Sequence, residues 1–124
     1  RFVRLPGRNV WRLGNQKKND YDKGSRYSSD HLAKNQYFVL GWDYEWNKKS
    51  KKSKLSNPDE IYLGIVNRLN NKETFTEEHL VILMHDDMFD NDKDANQLRS
   101  LIKLIKSNKN IVFEVASNYP ISIS

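Results

Sequence analysis

The segment Leu80-Val81-Ile82-Leu83-Met84-His85-Asp86-Asp87 constrains this chain more than any other. Five consecutive apolar residues are too few for a membrane helix and match a strand covered on both faces of a parallel sheet. Such strands deliver their C-terminal ends to the crevice where α/β proteins bind ligands. The run stops on His85, and imidazole is the side chain whose ordinary proton equilibrium lies near neutral pH. Two other polar clusters, Arg4-Leu5-Pro6-Gly7-Arg8-Asn9 and Gly41-Trp42-Asp43-Tyr44-Glu45-Trp46, also follow or end apolar segments. The pattern predicts one polar site on one rim of a sheet.

Local signals place elements around that run. Arg1 to Leu5 reads as the end of a strand, stopped by Pro6-Gly7, and Arg8 to Arg26 as a long loop holding at most a short helix near Val10 to Leu13. Ser28-Ser29-Asp30 predicts the cap of a short helix through Lys34, since these side chains accept the free amides of a first turn. Gln36 to Trp42 is the next expected strand, with Tyr37, Phe38, Val39 and Leu40 as its core. Ser56-Asn57-Pro58-Asp59-Glu60 is a helix start: a capping residue, a proline with no amide to waste, then acids at the positive end of the dipole. Ile61, Ile65, Val66 and Leu69 fall on one face of that helix, which stops near Asn70-Asn71. After the strand Leu80 to Met84, Asp94 begins a second helix. Its apolar stripe is Leu98, Leu101, Ile102 and Ile105, with Arg99, Lys103 and Lys106 toward water. Ile111 to Val115 is the last expected strand, and Tyr119-Pro120 ends the ordered part. Strands alternating with helices at this spacing imply βαβ units, hence an α/β fold with a parallel sheet or barrel.

Length and composition exclude several classes. A chain of 124 residues suits one domain. With no cysteine there is no disulfide framework and no thiolate nucleophile, and no run approaches the roughly twenty apolar residues of a membrane span. The net charge of +5 is concentrated at Lys17-Lys18 and in Lys48, Lys49, Lys51, Lys52 and Lys54. Attraction to nucleic acid or another anionic polymer is one consequence of such a tract. The commoner one is a solvated loop, and no RNA-binding aromatic motif or helix-turn-helix pattern accompanies these lysines. Asp90, Asp92 and Asp94 alternate as in a calcium loop, but no glycine marks the sharp turn and no glutamate closes it. The opening Arg1-Phe2-Val3-Arg4 looks like a strand already under way, which predicts a fragment whose N-terminal remainder holds half of the site.

In order along the chain, Arg4-Leu5-Pro6-Gly7, Trp42-Asp43-Tyr44-Glu45-Trp46 and Leu83-Met84-His85-Asp86 resemble the third, fourth and fifth motifs of the polysaccharide deacetylase family. This is the NodB-homology domain, or carbohydrate esterase family four. The resemblance extends to Asn110-Ile111-Val112-Phe113-Glu114-Val115, similar to that family's last strand. It implies the C-terminal portion of a deformed (β/α) barrel, part of a metal-dependent hydrolase that removes acetyl groups from peptidoglycan or chitin-like glycans. The family's first two motifs supply a base aspartate and the metal ligands, including a His-x-x-x-His pattern, and neither is present in these residues. The implied divalent metal, zinc, therefore belongs to a longer protein, and this portion alone is expected to bind none and to be inactive.

The same resemblance distributes roles. His85 becomes the general acid, worth about 10²–10⁴ in rate for such a group. Asp43 or Glu45 orients it; Asp43 is the favoured one because it preserves the family's residue type, whereas Glu45-Trp46 preserves its acid–tryptophan order. Arg4 corresponds to the arginine that keeps the absent base charged. Trp46 and Leu83, with Glu45 and Trp42 beside them, form the pocket for the acetyl group. Trp42, Tyr44 and Trp46 alternate, so at least one of them is expected in the core. The expected partners are an acetylated polysaccharide, the remainder of the same domain and, through an open strand edge, a second copy. A periplasmic, cell-surface or secreted location follows from the family's substrates alone. Two other readings compete: a glycan-binding member of the same fold without catalysis, and a basic-loop binder of nucleic acid or another anionic polymer.

Overall fold

The structure is a computed structural model that describes residues 1–20, 26–48 and 56–121. The chain separates into two compact units, Arg1–Trp42 with Glu114–Ser124, and Asp43–Phe113. It is a mixed α/β protein with three helices among the described residues, and both of its sheets contain parallel strands.

In the first unit, β1 (Phe2–Val3), β2 (Trp11–Leu13), β3 (Gln16–Lys18) and β4 (Phe38–Val39) form one sheet in the order β1-β4-β2-β3. β1 runs parallel to β4, with helix α1 (Arg26–Lys34) between them in sequence. β2 runs antiparallel to β4 and to β3. The segment expected to be a loop with a short helix is thus a β-hairpin. Gly14 (φ 63°) occupies the first position of its two-residue turn. A left-handed glycine there gives the turn the twist that joins neighbouring antiparallel strands. Burial follows the period of two: Trp11 and Leu13 are buried, while Arg12 between them reaches Asp30 on α1. Ser28, Ser29 and Asp30 therefore lie inside α1 and do not cap it; Ser29 is fully buried. The strand expected from Gln36 shortens to Phe38–Val39 because Gln36 (φ 65°) takes the left-handed conformation that commonly ends a helix.

The second unit is a βαβ unit with a further helix. β5 (Tyr44–Glu45) and β6 (Ile82–Leu83) pair in parallel, with Tyr44 opposite Ile82 and Glu45 opposite Leu83. Between them runs α2 (Pro58–Asn70), which starts where the sequence predicts. Asn57 is its cap and accepts the Asp59 amide at 2.8 Å, and Pro58 follows in the first turn. Helix α3 (Asp92–Ser107) packs on α2. It begins before Asp94: Asn91 is the cap and accepts the amide of Asp94, which is the third helical residue.

The core of this unit gathers Trp46, Ile61, Ile65, Met88, Leu101 and Ile105, flanked by the half-buried Tyr44, Ile82, Met84 and Leu98. Ile102, expected in the buried stripe of α3, is 36% exposed. Trp46 is fully buried and meets the Phe89 ring edge-on at a centroid distance of 5.3 Å. Burying such a ring removes on the order of 200 Å² from water, about 5 kcal/mol of transfer free energy. Its indole N–H has no acceptor among the described residues, which gives back about 1–3 kcal/mol.

Two expectations fail here for one reason. The run Leu80 to Met84 contributes only Ile82–Leu83 as strand, and its residues are half-buried, not covered on both faces. Residues 111–115 form no strand, and Val112, Phe113 and Val115 are 79%, 56% and 62% exposed. Strand propensity expresses a fit to a pleated, half-buried surface, so an apolar stretch is strand only as far as a neighbour pairs with it: β5 pairs with Ile82–Leu83 alone, and among the described residues nothing pairs with 111–115.

Candidate functional site

Parallel pairing of β5 with β6 decides which side chains meet. Residues opposite each other in a ladder share a face, and successive residues alternate. Tyr44, Trp46, Ile82 and Met84 take the core face. Glu45 and Leu83 take the other, and His85, in extended conformation two residues beyond Leu83, follows them. Just past the C-terminal ends of the two strands, His85 Nε2 lies 3.0 Å from Glu45 Oε2. The carboxylate accepts only, so Nε2 donates and Nδ1 is the atom left to exchange a proton. The pair is partly open to solvent, with side-chain exposures of 43% for His85 and 30% for Glu45.

Asp43 does something else. Its Oδ1 accepts the Phe75 amide at 2.8 Å and its Oδ2 the Val81 amide at 2.7 Å. The Asp43 amide in turn donates to the Val81 carbonyl at 2.8 Å. Of the two carboxylates considered for the histidine, Glu45 meets it, and Asp43 ties the segment after α2 to the start of β5. A strand shifts its side chains to the opposite face with each residue, but Asp43 precedes the ladder and faces the incoming loop.

The expected pocket also divides. Trp46 is sealed in the core, so it cannot wall a substrate cavity, and strand alternation separates it from Leu83. Arg4 and Trp42 belong to the first unit, where the Arg4 guanidinium lies 5.9 Å from the Trp42 ring centroid. In the same unit Asn9 brackets Trp42, accepting its amide at 2.8 Å and donating to its carbonyl at 3.0 Å.

Around His85 opens a cleft of about 530 Å³, lined also by Asn47, Lys48, Asp87, Met88, Asp90 and Asn91. The turn Asp86–Phe89 directs Asp87 to it while Met88 anchors in the core. At the start of α3, Asp94 is 9% exposed and its Oδ2 accepts from Asn91 Nδ2 at 2.9 Å and from Lys48 Nζ at 3.3 Å. The Asn91 contact, and after it Lys48, hold the Asp94 carboxyl below the usual carboxylate range against the opposing effect of burial. Lys48 was expected in a solvated tract; the structure takes it into the cleft, with a side chain only 16% exposed. Lys49, Lys51, Lys52 and Lys54 lie outside the described residues. Spacing gave no signal for Lys48, because forty-six residues separate it from Asp94.

Among the described residues no group of three or more His, Asp or Glu could hold a metal ion. No chemical step is assigned to a metal here. Among the same residues no helix is long and apolar enough to cross a membrane. In comparisons with models of protein families and with curated proteins, nothing matches this chain.

Proposed function

We propose that this chain is the C-terminal part of a polysaccharide deacetylase-type hydrolase, a portion of a deformed (β/α) barrel acting on an acetylated glycan outside the cytoplasmic membrane. The observation that carries this reading is the 3.0 Å contact of His85 with Glu45 at the C-terminal ends of two parallel strands. Hydrolysis puts a hydroxyl on the acyl carbon and a proton on the departing nitrogen or oxygen. A histidine whose Nε2 is fixed by a carboxylate can give that proton from Nδ1, and a general acid so placed contributes about 10²–10⁴ in rate. Asn47 offers an amide donor and acceptor of the kind that sugar hydroxyls use. Activation of the water falls to groups other than the described residues.

The test uses the full-length protein and an N-acetylglucosamine oligomer, with released acetate as the readout. His85 is exposed, so His85→Ala is expected to keep the fold and to lose about 10²–10⁴ in turnover. Glu45→Gln keeps a hydrogen bond but not the charge and is expected to lose less. Undiminished acetate release by His85→Ala would remove the assigned role. A wild type that binds the oligomer without cleaving it would replace hydrolysis with glycan binding.

A further inference from the structure

Lys48 sits where stability alone gives it little reason to be. A cation at the N-terminal end of a helix faces the positive pole of the dipole. Asp94 already complements that pole, and Asn91 already caps its amide at 2.8 Å and bonds its carboxylate at 2.9 Å. Adding a half-buried ammonium costs desolvation that its attraction to one carboxylate only roughly offsets. Yet Lys48 is held there, 3.3 Å from Asp94 Oδ2, on the wall of the cleft that contains His85. An ammonium has three protons in a compact head. Asp94 takes one, and among the described residues Lys48 has no other acceptor, which leaves protons to offer a group in the cleft.

We infer that Lys48 is the acyl-oxygen anchor of the cleft: its ammonium, held by an Asp94 carboxylate that Asn91 in turn positions, binds the acetyl carbonyl oxygen whose reacting centre His85 serves. The inference rests on the hydrolase reading for the identity of the acyl group. When a nucleophile adds to the acyl carbon, negative charge develops on this oxygen, and a pre-placed cation stabilises it more than it stabilises the neutral carbonyl. Asp87 and Asp90 line the same cleft, so one ammonium does not make it a general anion site. Lys48 is already matched by Asp94, so the lining is negative on balance; it accommodates a neutral acyl group and repels anions.

The probe is acetamide, which presents the acyl oxygen without a charge, titrated against the protein at constant ionic strength with sodium acetate as the comparison. The readout is the imidazole nuclear magnetic resonance signal of His85, assigned by its loss in His85→Ala from those of His31 and His79. The expected result is a saturable shift with acetamide and none with acetate. Lys48→Met is expected to weaken the acetamide response about tenfold or more, and Lys48→Arg to retain part of it. No saturable shift in the wild type, or an equal one in Lys48→Met with an unchanged circular dichroism spectrum, overturns the assignment. A full-length wild type that shows the shift but releases no acetate from the glycan refutes the hydrolase reading and keeps the anchor. Acetate release without a shift does the reverse.

Discussion

Replacing Asp43 separates two roles that its position near the histidine strand would otherwise confound. If Asp43 acted on substrate, Asp43→Asn would lower turnover and leave stability intact. Its geometry predicts the opposite emphasis, because both carboxylate oxygens accept backbone amides, from Phe75 at 2.8 Å and from Val81 at 2.7 Å. A hydrogen bond to a charged group contributes about 1.5–3 kcal/mol, and these amides are half-buried, which favours the lower end. Asn keeps one acceptor and turns a donor toward the other amide, so Asp43→Asn is expected to cost about 1.5–2 kcal/mol. Ala loses both bonds and is expected to cost about 3 kcal/mol. The assay is urea unfolding together with amide hydrogen exchange. Protection at the Phe75 and Val81 amides is expected to fall about tenfold in Asp43→Asn and a hundredfold or more in Asp43→Ala. An Asp43→Ala variant with unchanged midpoint and unchanged protection at both amides would refute this account of the residue.

Two further outcomes concern the helices of the second unit. A Cβ at Gly64 on α2 would overlap the Tyr44 ring, with the nearest ring carbons at 2.5 and 2.6 Å, and Arg68 lies 4.7 Å from that ring's centroid. Gly64→Ala should therefore destabilise by about 1–3 kcal/mol in thermal unfolding, despite a helix-propensity gain of about 1 kcal/mol at such a site. A stabilised variant would show that the ring moves freely. The Asp94 carboxyl is held below its usual value of 3.8 by Asn91 and Lys48. Below that value the unfolded chain takes up a proton that the native state still refuses. Stability from Asp94 is thus fully present above about pH 4 and is lost as pH falls through the lower native value. Acid unfolding curves of Asp94→Asn should lose this part of the slope, and a slope identical to the wild type's would contradict the network.

Sequence signals were strongest where a local rule decides the outcome. Asn57-Pro58-Asp59-Glu60 carries its own helix start, and α2 begins there with Asn57 as cap. Parallel strands around helices follow from the alternation of elements, and both sheets have them. The hairpin was missed because β3 (Gln16-Lys17-Lys18) has no apolar residue to mark a face. Gly14-Asn15 was the available signal, a two-residue turn between short runs. Residues 111–115 misled in the opposite direction, apolar enough for a strand but with no neighbour to pair with among the described residues. At the site, the imidazole was legible as a residue at a strand end, but its partner was not. Only the register, Glu45 against Leu83, selects Glu45 over Asp43. Trp46 looked like a pocket wall because an acid–tryptophan pair is a motif in sequence, whereas on a strand the two members point apart.

That last separation has a further consequence. One peptide link joins the most deeply enclosed ring of the second unit to the carboxylate that steadies its imidazole. An exchange that reshapes the oily interior under Trp46 is therefore expected to displace Glu45 as well, so a packing defect on one face reaches the imidazole on the other.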